Sequence, residues 1–357
     1  MPEFNISVMP GDGIGPEIME QALRVLDKIA KNYSHKFNYK TVYIGGCSID
    51  KFGKPITSDT IATVLSTDAL LFSAVGGEKW DNLPQNMRPE AGLLEIRKAI
   101  SGYANIRPIK VFPAMETFST LKAEVISGID IVIVRELVSG IYFGEPRGVV
   151  KLPDGVRKGF NTMSYKDYEI ERIAKVAFSF AQKRRKKITS IDKANVLDVS
   201  TLWRDVVSEV HKDYPDVALD FMYVDNAAMQ LVRNPSQFDV ILAGNIFGDI
   251  LSDEASMITG SLGMLPSAAI GGNVGMFEPV HGSAPDIAGK AIANPVAQIV
   301  TTAMMLRYGL GLEAEANAIE NAVDKTLEKG YRTPDIFKNG NKKVDTIQMG
   351  DAIIEEI

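Results

Sequence analysis

The sequence predicts an α/β fold, and three observations carry that expectation. Short apolar runs of strand length alternate along the chain with longer segments whose apolar residues repeat at helical spacing. Two of the runs, Ala69-Leu-Leu-Phe-Ser-Ala-Val75 and Ile129-Asp-Ile-Val-Ile-Val134, are apolar on both faces, as strands of a covered sheet are. The chain has 357 residues, 45% hydrophobic and 24% charged, which is an average globular composition long enough for two domains.

The elements follow in order. Phe4, Ile6 and Val8 alternate as a first strand, and Ile18, Ala22, Val25, Leu26 and Ile29 line a first helix. Between them stands Gly11-Asp-Gly-Ile-Gly-Pro-Glu17. Its third glycine follows the second by two residues, not three, and Pro16 comes next, so it fails the dinucleotide fingerprint. These glycines either let backbone approach a ligand or form a tight strand-to-helix turn with proline at N1. Pro89 opens a helix on which Glu90, Leu93, Leu94 and Arg97 share one face. A carboxylate, an apolar patch and a guanidinium there suit a small carboxylic acid with an alkyl branch. The competing reading puts the leucines in the core and the charges in surface pairs.

Gly140-Ile-Tyr-Phe-Gly144, Pro146-Arg-Gly148 and Leu152-Pro-Asp-Gly155 break the alternation. The Pro-Asp-Gly turn predicts a β-hairpin arm near 140–160, packed on a partner subunit or lying on the surface. Ile170, Ile173, Val176, Ala177 and Phe180 mark another helix. The basic run Lys183-Arg-Arg-Lys-Lys187 reads as its solvated end, complementing the helix dipole. Ala194-Asn-Val-Leu197 and Phe221-Met-Tyr-Val224 read as strands. Leu312, Ala316, Ile319, Val323 and Leu327 line a late helix that Gly330 closes.

The most informative segment is Gly244-Asn-Ile-Phe-Gly-Asp-Ile-Leu-Ser-Asp-Glu-Ala-Ser256, which follows the apolar run Val240–Ala243. Asp249 and Asp253 are four residues apart on a short helix, so two like charges share a face. A hard divalent cation removes that penalty; capping by Asp249 and solvation of Asp253 is the other reading. Arg107 precedes Pro108, and Arg135 ends a buried apolar strand, where a charge needs a buried partner or an anionic ligand. Lys193 and Asp225 occupy similar strand-end positions, the places where α/β folds put ligands. In Glu278-Pro-Val-His-Gly-Ser-Ala-Pro-Asp-Ile-Ala-Gly289, small residues allow close approach to a flat ligand and His281 is able to stack or bond.

A net charge of −6 argues against nucleic acid as the main partner. The single cysteine, Cys47, excludes an intrachain disulfide and fits a reducing compartment. No apolar run is long enough to span a membrane, and Met1–Val8 has neither a secretory signal nor a transit-peptide character, so a cytoplasmic location is expected.

Taken together these segments resemble the 3-isopropylmalate dehydrogenases, within the wider group of metal-dependent β-hydroxyacid decarboxylating dehydrogenases. The resemblance runs from Gly11 to Met349-Gly-Asp351. It is carried by Ala74-Val-Gly-Gly-Glu-Lys-Trp-Asp81, Arg88-Pro-Glu90 with Gly92-Leu-Leu94, Val134-Arg-Glu-Leu137 with Gly140–Glu145, and the Asp249 and His281 segments. It implies a two-domain, non-Rossmann fold: residues 1–102 and 260–357 in one domain, 103–259 in the other, with the arm at a subunit interface.

The resemblance also implies roles. Arg97, Arg107 and Arg135 would hold the malate carboxylates, and Leu93 and Leu94 the isopropyl group. Asp225, Asp249 and Asp253 would surround Mg²⁺ or Mn²⁺, with Asp225 also at the substrate. Lys193 would serve the general-base side and Tyr142 the acid side. Glu90 would lie near the nicotinamide ribose of NAD. Glu278, His281, Gly282, Ser283, Ala284, Asp286, Ile287 and Asn294 complete the expected cofactor set, with Asp286 and Ile287 disfavouring NADP. Lys193 and Asp225 would come from the second subunit of a homodimer with shared sites. The implied reaction is NAD-dependent oxidative decarboxylation of 3-isopropylmalate to 4-methyl-2-oxopentanoate, the precursor of leucine. Rival readings are a relative acting on isocitrate, homoisocitrate, tartrate or D-malate, and a non-catalytic regulatory paralogue. The retained Tyr142, Lys193 and three aspartates speak against the paralogue, and Leu93 and Leu94 speak for an alkyl branch.

Overall fold

A computed structural model describes residues 2–357. In chain order the strands up to Pro279 are β1 (Glu3–Gly11), β2 (Lys36–Thr41), β3 (Ala69–Ala74), β4 (Ala104–Lys110), β5 (Asp130–Glu136), β6 (Gly148–Lys151), β7 (Arg157–Phe160), β8 (Lys187–Asp192), β9 (Ala218–Tyr223), β10 (Val240–Ala243), β11 (Pro266–Ile270) and β12 (Gly275–Pro279). The chain forms two compact units. One holds the chain up to Gly102, Phe112–Thr120 and Thr259–Ile357; the other holds Tyr103–Val111 and Leu121–Ile258.

In the terminal unit the strand order is β2-β1-β3-β12-β11. β1 is parallel to β2 and β3, β3 is parallel to β12, and β11 is antiparallel. That order, with its reversed strand, is not the doubly wound dinucleotide arrangement. β3 is buried along its whole length, as its unbroken apolar run requires. The helix Gly15–Tyr33 packs Ile18, Ala22, Val25, Leu26 and Ile29 inward. The turn before it is tight: Gly13 has φ +59°, and a Cβ there would stand 2.0 Å from the Ser283 carbonyl oxygen. Of the two readings of this glycine segment, the close approach at Gly13 is to protein backbone.

Phe112–Thr120 sits in the terminal unit, although the expectation had run the other domain through it. Met115 is buried, Arg332 Nη2 donates to the Ala114 carbonyl at 2.7 Å, and Lys338 Nζ donates to that of Thr117. Nothing in the local sequence announces these long-range bonds.

In the middle unit the order is β4-β5-β10-β8-β9, with β4 antiparallel to β5 and the rest parallel. The expected strand Ala194–Leu197 is a turn; the strand is β8, which ends at Asp192. β8 buries Thr189, Ser190 and Asp192 among its apolar residues, which hid it. The helix Asp167–Gln182 ends before the basic run, and that run is not simply solvated. Arg184 donates to Asp239 Oδ1 at 2.8 Å and to Asp130 Oδ1 at 2.8 Å, and Asp239 is buried. An unpaired carboxylate there would be costly, so Arg184 turns inward. β6 and β7 form the expected antiparallel hairpin around Pro153-Asp154-Gly155, with Gly155 at φ +86°. No helix among the described residues is long and apolar enough to cross a membrane.

Candidate active site

In the middle unit β4 and β5 carry Arg107 and Arg135 toward the helix Asn245–Ser256, which follows β10 directly. Arg107 Nη1 lies 2.7 Å from Asp253 Oδ1 and 2.8 Å from Ser252 Oγ, and its Nη2 lies 3.9 Å from Asp249 Oδ1. Arg135 is buried and pairs with Asp249 Oδ1 through Nη1. Tyr142, on the short turn Gly140–Tyr142, donates its hydroxyl to Asp249 Oδ2 at 2.8 Å. Two guanidinium groups thus offset the carboxylate pair on this helix face. Gly248 makes the packing possible, because a Cβ there would stand 2.7 Å from Arg135 Cγ. Burial and the bond to Asp249 push the Tyr142 hydroxyl above its ordinary pKa, so it keeps its proton at neutral pH.

Lys193 and Asp225 form a second cluster. Lys193 Nζ lies 2.7 Å from Asp225 Oδ1, and that bond holds the Asp225 carboxyl below its ordinary range. The turn carrying Lys193 is fixed by buried Asp192, which takes two bonds from Arg204 at 2.6 and 3.0 Å and one from Ala194 N–H at 2.8 Å. Among the described residues no three carboxylate, imidazole or thiol groups converge as a metal cluster. Asp249 and Asp253 stand together, and Asp225 pairs elsewhere. A helix-borne pair of partly exposed carboxylates still fits Mg²⁺, which keeps several waters and uses one or two protein carboxylates plus substrate.

In the terminal unit the helix Pro89–Ile100 buries Pro89, Gly92, Ile96 and Ile100. Leu94 is therefore 54% exposed and Leu93 half-buried, so the reading that places a leucine pair in the core does not hold. Arg97 donates through Nη2 to Glu278 Oε1 at 2.7 Å, while its Nε is buried without a partner among the described residues. The Glu278 carboxylate, expected in the cofactor set, is thus engaged in orienting Arg97. Glu90 is exposed, and its Oε1 lies 3.0 Å from where a Cβ on Gly76 would be.

The segment after β12 is held to the same unit. Ser283 Oγ donates to the Gly76 carbonyl at 2.8 Å, and the Ser283 carbonyl accepts from Ile14 N–H at 2.8 Å. Ala284 has φ +39°; it and Ile287 pack against Ile14, Ile18 and Ala293. Asn294 is committed to Val296 N–H at 3.0 Å and Asp335 Oδ2 at 3.1 Å. Gly282 and Asp286 are exposed. His281 Nδ1 pairs with the Gly282 carbonyl at 2.9 Å, and burial pushes the ring pKa down, so the neutral ring carries its proton on Nδ1. Its Nε2, buried without a partner among the described residues, is then a bare acceptor. Such an acceptor beside exposed Gly282 and Asp286 fits an amine-bearing, hydroxyl-rich nucleoside.

One positioning residue escaped the sequence reading. Asp12 is buried and accepts N–H bonds from Gly46 at 2.7 Å, Cys47 at 2.8 Å and Gly76 at 2.9 Å. It thereby ties the ends of β1 and β3 to the helix Gly46–Phe52. Its position between Gly11 and Gly13 was the available signal, but only the fold identifies its partners.

Comparison with known proteins agrees with this geometry. A family model described as isocitrate/isopropylmalate dehydrogenase matches residues 5–353. The chain therefore belongs to the isocitrate/isopropylmalate dehydrogenase family, and it is an oxidoreductase. It is 56% identical to a 3-isopropylmalate dehydrogenase of Aquifex aeolicus, over 100% of this chain and 98% of that protein. It is 55% identical to another from Synechocystis sp., covering 98% and 97% of the two chains. Among solved structures, the isocitrate dehydrogenase of Methylococcus capsulatus matches with a TM-score of 0.87 at 34% identity, over 99% of each chain.

Proposed function

We propose that this protein catalyses the NAD-dependent oxidative decarboxylation of 3-isopropylmalate, giving 4-methyl-2-oxopentanoate and CO₂ for leucine synthesis. The carrying observation is the helix Pro89–Ile100, which presents exposed Leu94 one turn before an arginine whose Nε lacks a partner among the described residues. An alkyl branch and a carboxylate on one small molecule match that pair. Full-length relatives of the same name at 54–56% identity support the same substrate.

When bound, the divalent cation polarises the substrate hydroxyl and the nicotinamide accepts the hydride. Asp249 and Asp253 of this chain would hold the cation, with Asp225 of a second copy as a third carboxylate. Arg107 and Arg135 bind substrate carboxylate, their guanidinium groups already aimed over the helix that carries the aspartates. Lys193 serves the general-base side, and in its neutral amine form it would take the hydroxyl proton. Loss of CO₂ leaves a carbon that needs a proton, and Tyr142 supplies it from its hydroxyl. Glu90 would lie at the nicotinamide ribose and His281 and Asp286 would hold the adenosine end, with the Asp286 charge disfavouring the NADP phosphate.

The working form is a cytoplasmic homodimer. Val149, Val156, Met229, Val232, Ile250 and Met257 are all at least half exposed on the arm and nearby helices of the middle unit, which supports a covered face there. The test is metal removal. A chelator-treated enzyme should lose turnover and regain it with Mg²⁺ or Mn²⁺; full activity in a metal-free sample would exclude this mechanism.

A further inference from the structure

Asn245 is fully buried and opens the helix that carries Asp249 and Asp253. Both polar atoms of its side chain are committed, and in two directions. Oδ1 accepts from Arg135, from Nη2 at 2.7 Å and Nε at 3.2 Å. Nδ2 donates to the carbonyls of Leu137 at 3.1 Å and Ser139 at 3.0 Å. Its backbone N–H donates to the Tyr165 hydroxyl at 2.7 Å. The two carbonyls belong to the loop running from β5 to the turn Gly140–Tyr142.

One amide therefore fixes both the guanidinium that pairs with one oxygen of Asp249 and the loop whose tyrosine bonds the other. An amide side chain offers two N–H donors on one edge and a carbonyl acceptor on the other without charge; a carboxylate offers acceptors alone. Because Asn245 is fully buried, each unmade bond would leave a buried polar group unsatisfied. We infer that Asn245 is a positioning residue for the reaction, holding Arg135 and the Tyr142 hydroxyl in one fixed relation across Asp249. Carboxylate binding and proton delivery then share a single geometry. The inference rests on the roles proposed above for Arg135 and Tyr142.

Asn245→Asp tests it in the intact enzyme at saturating divalent cation. The new carboxylate still accepts from Arg135 but turns an acceptor toward the two loop carbonyls. kcat should fall about tenfold to a hundredfold, as a displaced catalytic group does, while KM for 3-isopropylmalate changes less than about threefold. In a Tyr142→Phe background the same substitution should change kcat less than about threefold, because the group it positions is gone. Tyr165→Phe keeps the aromatic ring, removes the acceptor of the Asn245 N–H, and should give the same non-additive pattern at smaller size. It decides the matter if Asn245→Asp does not fold. Equal falls in kcat with and without the Tyr142 hydroxyl, or an unchanged kcat, would overturn the inference. A Tyr142→Phe enzyme with wild-type kcat would overturn the proton-donor role itself and this inference with it, a result distinct from additivity.

Discussion

Glu136, one residue beyond Arg135, is fully buried and accepts N–H bonds from Val138 at 3.1 Å and Ser139 at 2.9 Å. Burial outweighs those bonds and the nearby Arg172, and moves its pKa from 4.5 to about 7. A carboxyl whose folded pKa is raised binds its proton more tightly in the folded state than in the unfolded one. Its stabilising contribution is complete below pH 4.5 and is lost as pH rises through about 7. Stability measured by denaturant should therefore decline between those values. Glu136→Gln should be less stable by about 1–3 kcal/mol, having lost one acceptor, but with a flatter pH slope across the window. Identical slopes for the two proteins would show that Glu136 does not titrate there. At this scale the sequence revealed residues whose chemistry is unusual for their context, such as Arg135 at a buried strand end. It did not reveal Asp12, Asn245 or the Arg97–Glu278 pair, because their partners lie up to 181 positions away in the chain.

The helix Asn245–Ser256 shows how an element acquires a function. Its i, i+4 aspartates were legible because helical spacing alone puts them on one face. What the spacing left open was the flank of that face, where Gly248 admits the stem of Arg135. Gly248→Ala should favour the helix by about 1 kcal/mol and yet harm the enzyme, since Arg135 must shift to make room. KM for substrate should rise about tenfold, the worth of roughly one charge-assisted hydrogen bond, with less effect on kcat. An unchanged KM would mean that Arg135 adapts freely or does not bind substrate. Elements of uniform pattern, such as β3 and the helix Gly15–Tyr33, were read correctly. β8 was not, because it buries polar Thr189, Ser190 and Asp192, and bonds from Trp203 to Ser190 and from Arg204 to Asp192, not hydrophobicity, hold the last two inside.

At the scale of the whole molecule, the proposed homodimer is open to a complementation test. If the second copy completes each site, inactive Tyr142→Phe and inactive Lys193→Ala proteins should complement each other on mixing. Half of the dimers would be mixed and each would own one undamaged site, giving about a quarter of wild-type activity. No recovery after verified subunit exchange would mean that each chain builds its own site.

Relative kcat/KM across related hydroxy acids is the sharpest test of the substrate. The purified enzyme with NAD⁺ and Mg²⁺ or Mn²⁺ would be assayed on 3-isopropylmalate, D-malate, tartrate, isocitrate and homoisocitrate, following NADH and CO₂ together. If Leu93 and Leu94 bury the three branch carbons as proposed, each is worth about 0.8 kcal/mol, so preference over unbranched malate should reach roughly 2 kcal/mol, or about thirtyfold. 3-Isopropylmalate should give the highest kcat/KM, with NADH and CO₂ in equal amounts. A higher kcat/KM on isocitrate, homoisocitrate, tartrate or D-malate would contradict it.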